Sequence, residues 1–271
     1  MRVIGIGDNV VDDYTTERTM YPGGNALNFA VYASMLGSES AYLGVFGSDA
    51  AAGHVRAALG ALDIDTSRCV TADGPNGHAR LELVDGERIF LGSNEGGIAK
   101  TVPMDFVFDD LDYLESFDLV HTSAYSYLDA YLPRFGAVGR PLSYDFSDDF
   151  DPDAALALCA HVDFGFFSCA GWPEADVADL LERAFARGAR IAGATRGTDE
   201  AIVHADGRWY RQAPATVEPV DTLGAGDAFI TAFLVEYVGN DAGIEPSLQQ
   251  AAAFAARICR VHGAFGHGLA Y

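Results

Sequence analysis

A chain of 271 residues, 49% hydrophobic and 21% charged, is long enough for one large α/β domain of ordinary globular composition. Its net charge of −22, with Lys100 as the only lysine, sets it against nucleic acid and anionic membrane surfaces as partners. No apolar run reaches the ~18–20 residues that span a bilayer, and the opening residues enter a strand without a cleavage pattern, so a cytoplasmic protein is expected. Cys69, Cys159, Cys169 and Cys259 lie far apart and the histidines are scattered, which predicts reduced thiols and no protein-built metal cage.

Residues 3–6 read as a buried strand that runs into Asp8, Asn9, Asp12 and Asp13. A dinucleotide turn after it would need glycine where Val10 stands, so Gly5-Ile6-Gly7 is not read as one. Gly23-Gly24 opens a helix over 25–36, with Asn25 and Asn28 one turn apart on one face. Amides there offer donors and acceptors to a polyol, or Asn25 serves only as a cap. A strand at 41–46 and a helix at 53–62 follow. Residues 81–90 form a hairpin pattern around Asp85-Gly86. Segments 11–22 and 76–97 break the alternation, which predicts a small β lid over the mouth of a sheet. Asn94 through Thr101 ends in Lys-Thr, but Ala99 occupies the glycine position of a Walker loop and Asn94 the other, so any nucleotide is held without that lysine. Strands at 119–121, 164–167, 189–192 and 201–204 then alternate with helices at 175–187 and 247–262. The expectation is a single domain over 1–271 with a mostly parallel sheet covered on both faces and a ligand beyond the carboxyl ends of its strands.

The most informative segment is Asp221-Thr222-Leu223-Gly224-Ala225-Gly226-Asp227-Ala228-Phe229. Small residues stand before an aspartate, and apolar residues at helical spacing follow. Free N–H groups at such a turn suit an anion. An acid placed among them is either a helix cap or a base beside a phosphoryl group in transit.

Gly23-Gly24-Asn25…Asn28 and Asp221…Asp227, in that order and at that separation, resemble both signatures of the ribokinase-like (PfkB) carbohydrate kinases. The resemblance covers nearly the whole chain and implies a three-layer α/β/α sandwich with a mostly parallel central sheet and a small β lid. It implies Asp227 as catalytic base, with Gly224, Ala225 and Gly226 as anion hole. Asp12, Gly24, Asn25 and Asn28 would meet sugar hydroxyls, and Thr195, Arg196 and Gly197 would line the ATP site. Asp221 falls where relatives bind a monovalent cation such as K⁺, mostly through backbone carbonyls. The Asn-x-x-Glu motif that orients Mg²⁺ through water is replaced by Ser168 and Gly171, with Glu174 a nearby substitute. Lid strands in this family often pair between subunits, which implies a homodimer through the lid.

Gly7 to Asp12, Tyr144 to Asp148, Arg88-Ile89-Phe90, Glu95-Gly96 and His262 to Phe265 resemble the fructoselysine 6-kinase branch. That resemblance implies phosphorylation of the 6-hydroxyl of a fructosamine, with Arg88 at the substrate and Asp8, Glu95 or Asp145 near its cationic nitrogen. A kinase for a plain ketose, ribose or nucleoside is the alternative within the class. A sugar-binding protein with weakened catalysis is the alternative outside it.

Overall fold

The fold is taken from a computed structural model that describes residues 1–84 and 87–271, with the side chains of 83–88 outside the description. The Asp85-Gly86 turn and the side chain of Arg88 therefore lie outside the described residues. The chain opens with β1 (Arg2–Gly7), β2 (Val10–Tyr14), β3 (Thr19–Gly23), α1 (Asn25–Met35), β4 (Glu39–Phe46), α2 (Ala50–Ala61) and β5 (Val70–Thr71). Next come β6 (Gly77–Val84), β7 (Glu87–Ser93), α3 (Leu111–Glu115), β8 (Leu119–Ser123), α4 (Leu132–Phe135) and β9 (Leu142–Asp145). It continues with α5 (Pro152–Leu158), β10 (Phe164–Ser168), α6 (Glu174–Arg187), β11 (Ile191–Arg196), β12 (Asp199–Ala205) and β13 (Arg208–Gln212). The last elements are α7 (Ala225–Leu234), α8 (Ile244–Ile258) and β14 (Leu269–Ala270).

A nine-stranded sheet runs in the order β13-β12-β11-β10-β9-β8-β1-β4-β5. Seven of these strands are parallel, and β12 and β13 add an antiparallel edge. Alternate residues of each strand separate the two faces. Val3, Leu119, Phe164 and Phe166 pack with α1, α7 and α8, whereas Ile4, Ile6, Val120 and Phe167 pack with α3 to α6. Strands covered on both faces must be apolar throughout, which is why β1 reads as an unbroken apolar run. Helix α8 buries a stripe that includes Ile244, Leu248, Ala251 and Ala252 at three- and four-residue spacing, whereas α1 and α7 are buried on consecutive residues, Ala26 to Ala33 and Ala228 to Leu234.

The chain passes from β1 to β4 on one side and later returns to β8 on the other, so the strand order reverses at β1. A crevice at the carboxyl ends of strands opens at such a reversal. From there the chain enters a second, five-stranded sheet, β14-β3-β2-β6-β7, which begins at Val10 immediately after Asp8 and Asn9. The segments expected to form a β lid supply β2, β3, β6 and β7. The fifth strand, β14, comes from the C-terminal tail and was not expected. It pairs Leu269 with Met20, and the Tyr271 hydroxyl donates to Asp13 Oδ1 at 2.6 Å.

Candidate active site

The carboxyl ends of the central strands deliver the site side by side. Ser123 closes β8 and pairs in register with Asp145, the last residue of β9; Ser168 of β10 pairs with Thr195 of β11. Asp8 follows β1 directly and is buried. Its Oδ2 accepts from the Asn25 backbone N–H at 2.6 Å. Its Oδ1 accepts from the Ala26 N–H at 3.1 Å and from the hydroxyls of Ser123 and Ser126, each at 2.8 Å. A carboxylate with four protein donors, set at the first turn of α1, anchors that helix. Asp8 is therefore engaged within the protein, where the sequence suggested a carboxylate near the cationic nitrogen of the substrate. Gly24 makes the approach possible: it has φ 113°, and a Cβ there would lie 2.9 Å from Asp8 Oδ2.

Anchored this way, α1 presents both asparagines to the crevice. Asn25 Nδ2 donates to Asp145 Oδ2 at 3.0 Å, and Asn28 Nδ2 donates to Asp227 Oδ2 at 2.6 Å. The amide oxygen of Asn28, Oδ1, is buried without a hydrogen-bond partner. Asp12 of β2 lies buried against Gly23, where a Cβ would come within 2.3 Å of its Oδ2. Asp12, Asp145 and Asp227 thus reach one crevice from three different parts of the chain.

Their proximity and burial alter their chemistry. Burial raises the Asp145 carboxyl to about 6; bonds from the Ser147 N–H and Asn25 pull the other way, and the charge of Asp8 adds to the rise. Asp227 is raised well above the ordinary carboxyl range, first by burial and then by the charge of Asp145, with the Asn28 bond opposing. A carboxyl held in this way is a stronger base when ionised than a surface aspartate.

Asp227 stands in the first turn of α7, behind Gly224 in the left-handed region at φ 73°. A Cβ on Gly224 would lie 2.3 Å from the Tyr32 hydroxyl, so both φ and space require glycine. Asp221 fixes the approach to this turn. Its Oδ1 accepts from the Leu223 N–H at 2.9 Å, and its Oδ2 accepts from the Gly263 N–H at 2.9 Å and from the Tyr14 hydroxyl. The Asp221 side chain is thus satisfied by protein donors. Ala225 N–H donates to the Thr222 carbonyl at 3.2 Å, whereas the N–H groups of Gly226 and Asp227 are first-turn donors that lack a helical partner in any helix. No Cβ contact within 4 Å surrounds Gly226, so its backbone is open to approach.

Residues 1–266 match the family model described as pfkB family carbohydrate kinase. The chain belongs to the PfkB carbohydrate kinases. It is 42% identical to fructosamine kinase FrlD of Bacillus subtilis (strain 168) over 274 residues, covering 100% of this chain and 95% of that protein. It is 33% identical to fructoselysine 6-kinase of Escherichia coli (strain K12), covering 96% of this chain and 98% of that protein. Among solved structures, a protein designated ribokinase II from E. coli, in complex with ATP and Mg²⁺, superposes with a TM-score of 0.81 at 20% identity, covering 97% of this chain and 94% of that one. This PfkB chain is accordingly a phosphotransferase acting on a sugar hydroxyl.

The remaining residues singled out from the PfkB resemblance fall in two places. Thr195, Arg196 and Gly197 cap β11, and Gly197 turns the chain at φ 66°. The Thr195 carbonyl accepts from Cys169 N–H at 2.8 Å. Arg196 is nine-tenths buried, donates to the Trp172 carbonyl at 3.2 Å, lies 3.6 Å from Asp199, and keeps its Nε without a hydrogen-bond partner. Glu174 opens α6 at the surface, bonded to Arg211, which holds its carboxyl below the usual range. Among the described residues no group of three or more His, Cys, Asp or Glu is gathered to hold a metal. The Glu95 side chain is likewise exposed and paired with Lys100. Asp145 belongs with the buried acids, although its strand, β9, carries too little apolar signal to be read from sequence. The backbone of Arg88 lies in β7; its side chain is outside the description.

Proposed function

We propose that this kinase transfers the γ-phosphate of ATP to the 6-hydroxyl of a fructosamine, a sugar that carries an amino acid through nitrogen. The observation that carries the reading is the Asn28–Asp227 pair at the mouth of α7, half-buried and within the field of the buried Asp145. Asp12, the Gly24 backbone, Asn25 and Asn28 receive the sugar hydroxyls, the unpartnered amide oxygen of Asn28 among the acceptors. Asp227 takes the proton of the attacking hydroxyl. The free first-turn N–H groups behind Gly224, with the α7 dipole, receive the charge that develops on the transferring phosphoryl group. Asp8 acts at one remove, by holding α1 so that both asparagines face the crevice.

ATP enters along the other half of the sheet edge, where Thr195, Arg196 and Gly197 line its site. The unpartnered Nε of Arg196 and the open backbone at Gly197 and Gly226 fit an anionic ligand. The donor set does not fit direct protein ligation of Mg²⁺, since Glu174 is engaged with Arg211; the metal is expected to arrive on the phosphates of ATP. A K⁺ site at residue 221 would have to use backbone carbonyls, because its carboxylate is occupied.

The second sheet serves as a lid that excludes water from the transfer. Its edge strand β7 exposes Ile89, Phe90 and Leu91, Phe90 by 64%, a pattern that suits pairing with a second copy of the chain. Four unbridged cysteines suit a reducing, ATP-containing cytoplasm. No helix among the described residues is long and apolar enough to cross a membrane.

The acids gathered in the crevice support a fructosamine over a plain ketose as the substrate. A cationic nitrogen relieves the mutual repulsion of Asp8, Asp145 and Asp227, which an uncharged sugar leaves uncompensated. A coupled kinase assay with N-fructosyl amino acids, fructose, ribose and adenosine tests this. The expected result is a higher kcat/KM for the glycated amino acids; equal or better use of a free sugar would overturn the substrate assignment.

A further inference from the structure

Beside the crevice, residues 95–97 trace a run of left-handed backbone: Glu95 at φ 52°, Gly96 at 86° and Gly97 at 60°. Across from it Tyr127, also left-handed at φ 56°, donates its hydroxyl to the Glu95 carbonyl at 2.7 Å. The Tyr127 ring lies over Gly96, where a Cβ would come within 2.9 Å of Cε2, so a side chain at 96 would push the ring away. Backbone strain of this kind persists only where surrounding contacts enforce it. The consequence here is geometric: the run turns the segment after β7 so that Lys100 stands over the Tyr127 ring, Nζ 5.4 Å from its centroid.

Lys100 and Tyr127 border a groove of about 240 Å³ whose walls include Val102, Met104 and Tyr131. The groove shares the wall residues Ala99, Met104 and Tyr127 with a water-sized cavity bounded by Asp8, Asn9 and Ser126 at the end of β1, which places it beside the acid-lined crevice. The chain has one lysine against 39 acidic residues, and that lysine stands here. Its ammonium has three donors. Glu95 takes one and raises the lysine further into its charged range, and the side chain remains 43% exposed.

We propose that this groove is the subsite for the amino-acid portion of the substrate, with Lys100 receiving its carboxylate and Tyr127 and Tyr131 flanking its carbon chain. The inference rests on the fructosamine reading above and adds what that reading does not contain: a recognition element for the non-sugar end. In a protein of net charge −22, an anionic group on a substrate needs a local cation, and no buried acid of the crevice can serve it. Glu95 then acts as a positioning residue that holds Lys100 at the rim.

The test compares two substrates that share the fructosamine nitrogen, N-fructosyl-lysine and N-fructosyl-cadaverine, which lacks the carboxylate. In the unaltered protein the carboxylate substrate should have the lower KM, by about tenfold for one partly exposed charge-assisted contact. In Lys100→Met that ratio should collapse to about one, and Lys100→Arg should restore most of it. Arg183→Met removes a cation far along the chain, on the exposed face of α6, and should leave the ratio as in the unaltered protein, which separates a local contact from the general field. Phosphorylation of both substrates with equal KM, or a ratio unchanged in Lys100→Met, would overturn the subsite while leaving the fructosamine reading intact. Failure to phosphorylate either substrate would overturn that reading itself.

Discussion

Asp8→Asn separates an anchoring carboxylate from a sugar ligand. The change keeps the shape of the side chain and removes its charge. Asp8 Oδ1 receives Ala26 N–H and two serine hydroxyls, so the amide oxygen of the variant is best placed there. The new NH₂ then faces the Asn25 N–H across what was a 2.6 Å hydrogen bond, two donors head to head. Loss of one charge-assisted bond costs about 1.5–3 kcal/mol, and loss of the negative charge at the start of α1 costs about 0.3–2 kcal/mol. A total of about 2–5 kcal/mol, set against an unfolding entropy of roughly 2.1 cal/mol/K per residue over this chain, lowers Tm by about 4–9 °C. Differential scanning calorimetry at neutral pH measures it. Catalysis should fall as well, through kcat, because Asn25 and Asn28 lose their common support. A variant that melts within about a degree of the parent and shows only a raised sugar KM would refute the anchor and make Asp8 a substrate ligand.

Asp145→Asn removes the charge that ranks second among the causes raising Asp227. Since the base works ionised, the acid limb of the kcat–pH profile should move to lower pH, and an unmoved limb would show that the two carboxyls do not share a field. Asp227→Asn should melt higher than the parent at pH 8 and converge with it toward pH 4. A folded carboxyl raised above its unfolded value binds more protons than the unfolded chain, so the parent loses stability as pH rises through that window; identical curves would contradict burial as the cause. Gly224→Ala strains a left-handed position and drives a Cβ against Tyr32, which should cost about 1–3 kcal/mol in urea unfolding and most of kcat; retained turnover would show that the turn tolerates displacement. Glu174→Gln, at an exposed ion pair, should change the Mg²⁺ concentration for half-maximal rate by less than about twofold, and a larger rise would return Glu174 to the metal.

The parallel sheet was legible because buried strands such as β1 and β10 are apolar on both faces, and the paired glycine-asparagine and glycine-aspartate turns carry their backbone requirements in their residue types. β9 was not legible. Ser143 and Asp145 interrupt its apolar signal, yet both are buried, Ser143 bonded to His121 and Asp145 to Asn25. Polar residues satisfied by distant partners look like a loop in sequence. The same reasoning applies to Asp8, whose serine partners stand more than a hundred residues away, and to β14, two residues long and held by pairing with β3. Glu95 and Glu174 were read as acids available to ligands; the structure gives each a basic partner, Lys100 on the turn just after Glu95 and, for Glu174, the distant Arg211 that sequence separation concealed.

The central claim is that Asp227 removes the proton from the attacking sugar hydroxyl. Rapid-quench measurement of phosphoryl transfer by Asp227→Asn, with sugar affinity followed by calorimetry on the same preparation, tests it most directly. The transfer rate should fall by about 10²–10⁴, while the dissociation constant for the sugar stays within about threefold, since the side-chain oxygen that the variant keeps still accepts from Asn28 Nδ2 and leaves the Asn28 oxygen to the sugar. Transfer at the parent rate in that variant would contradict the assignment.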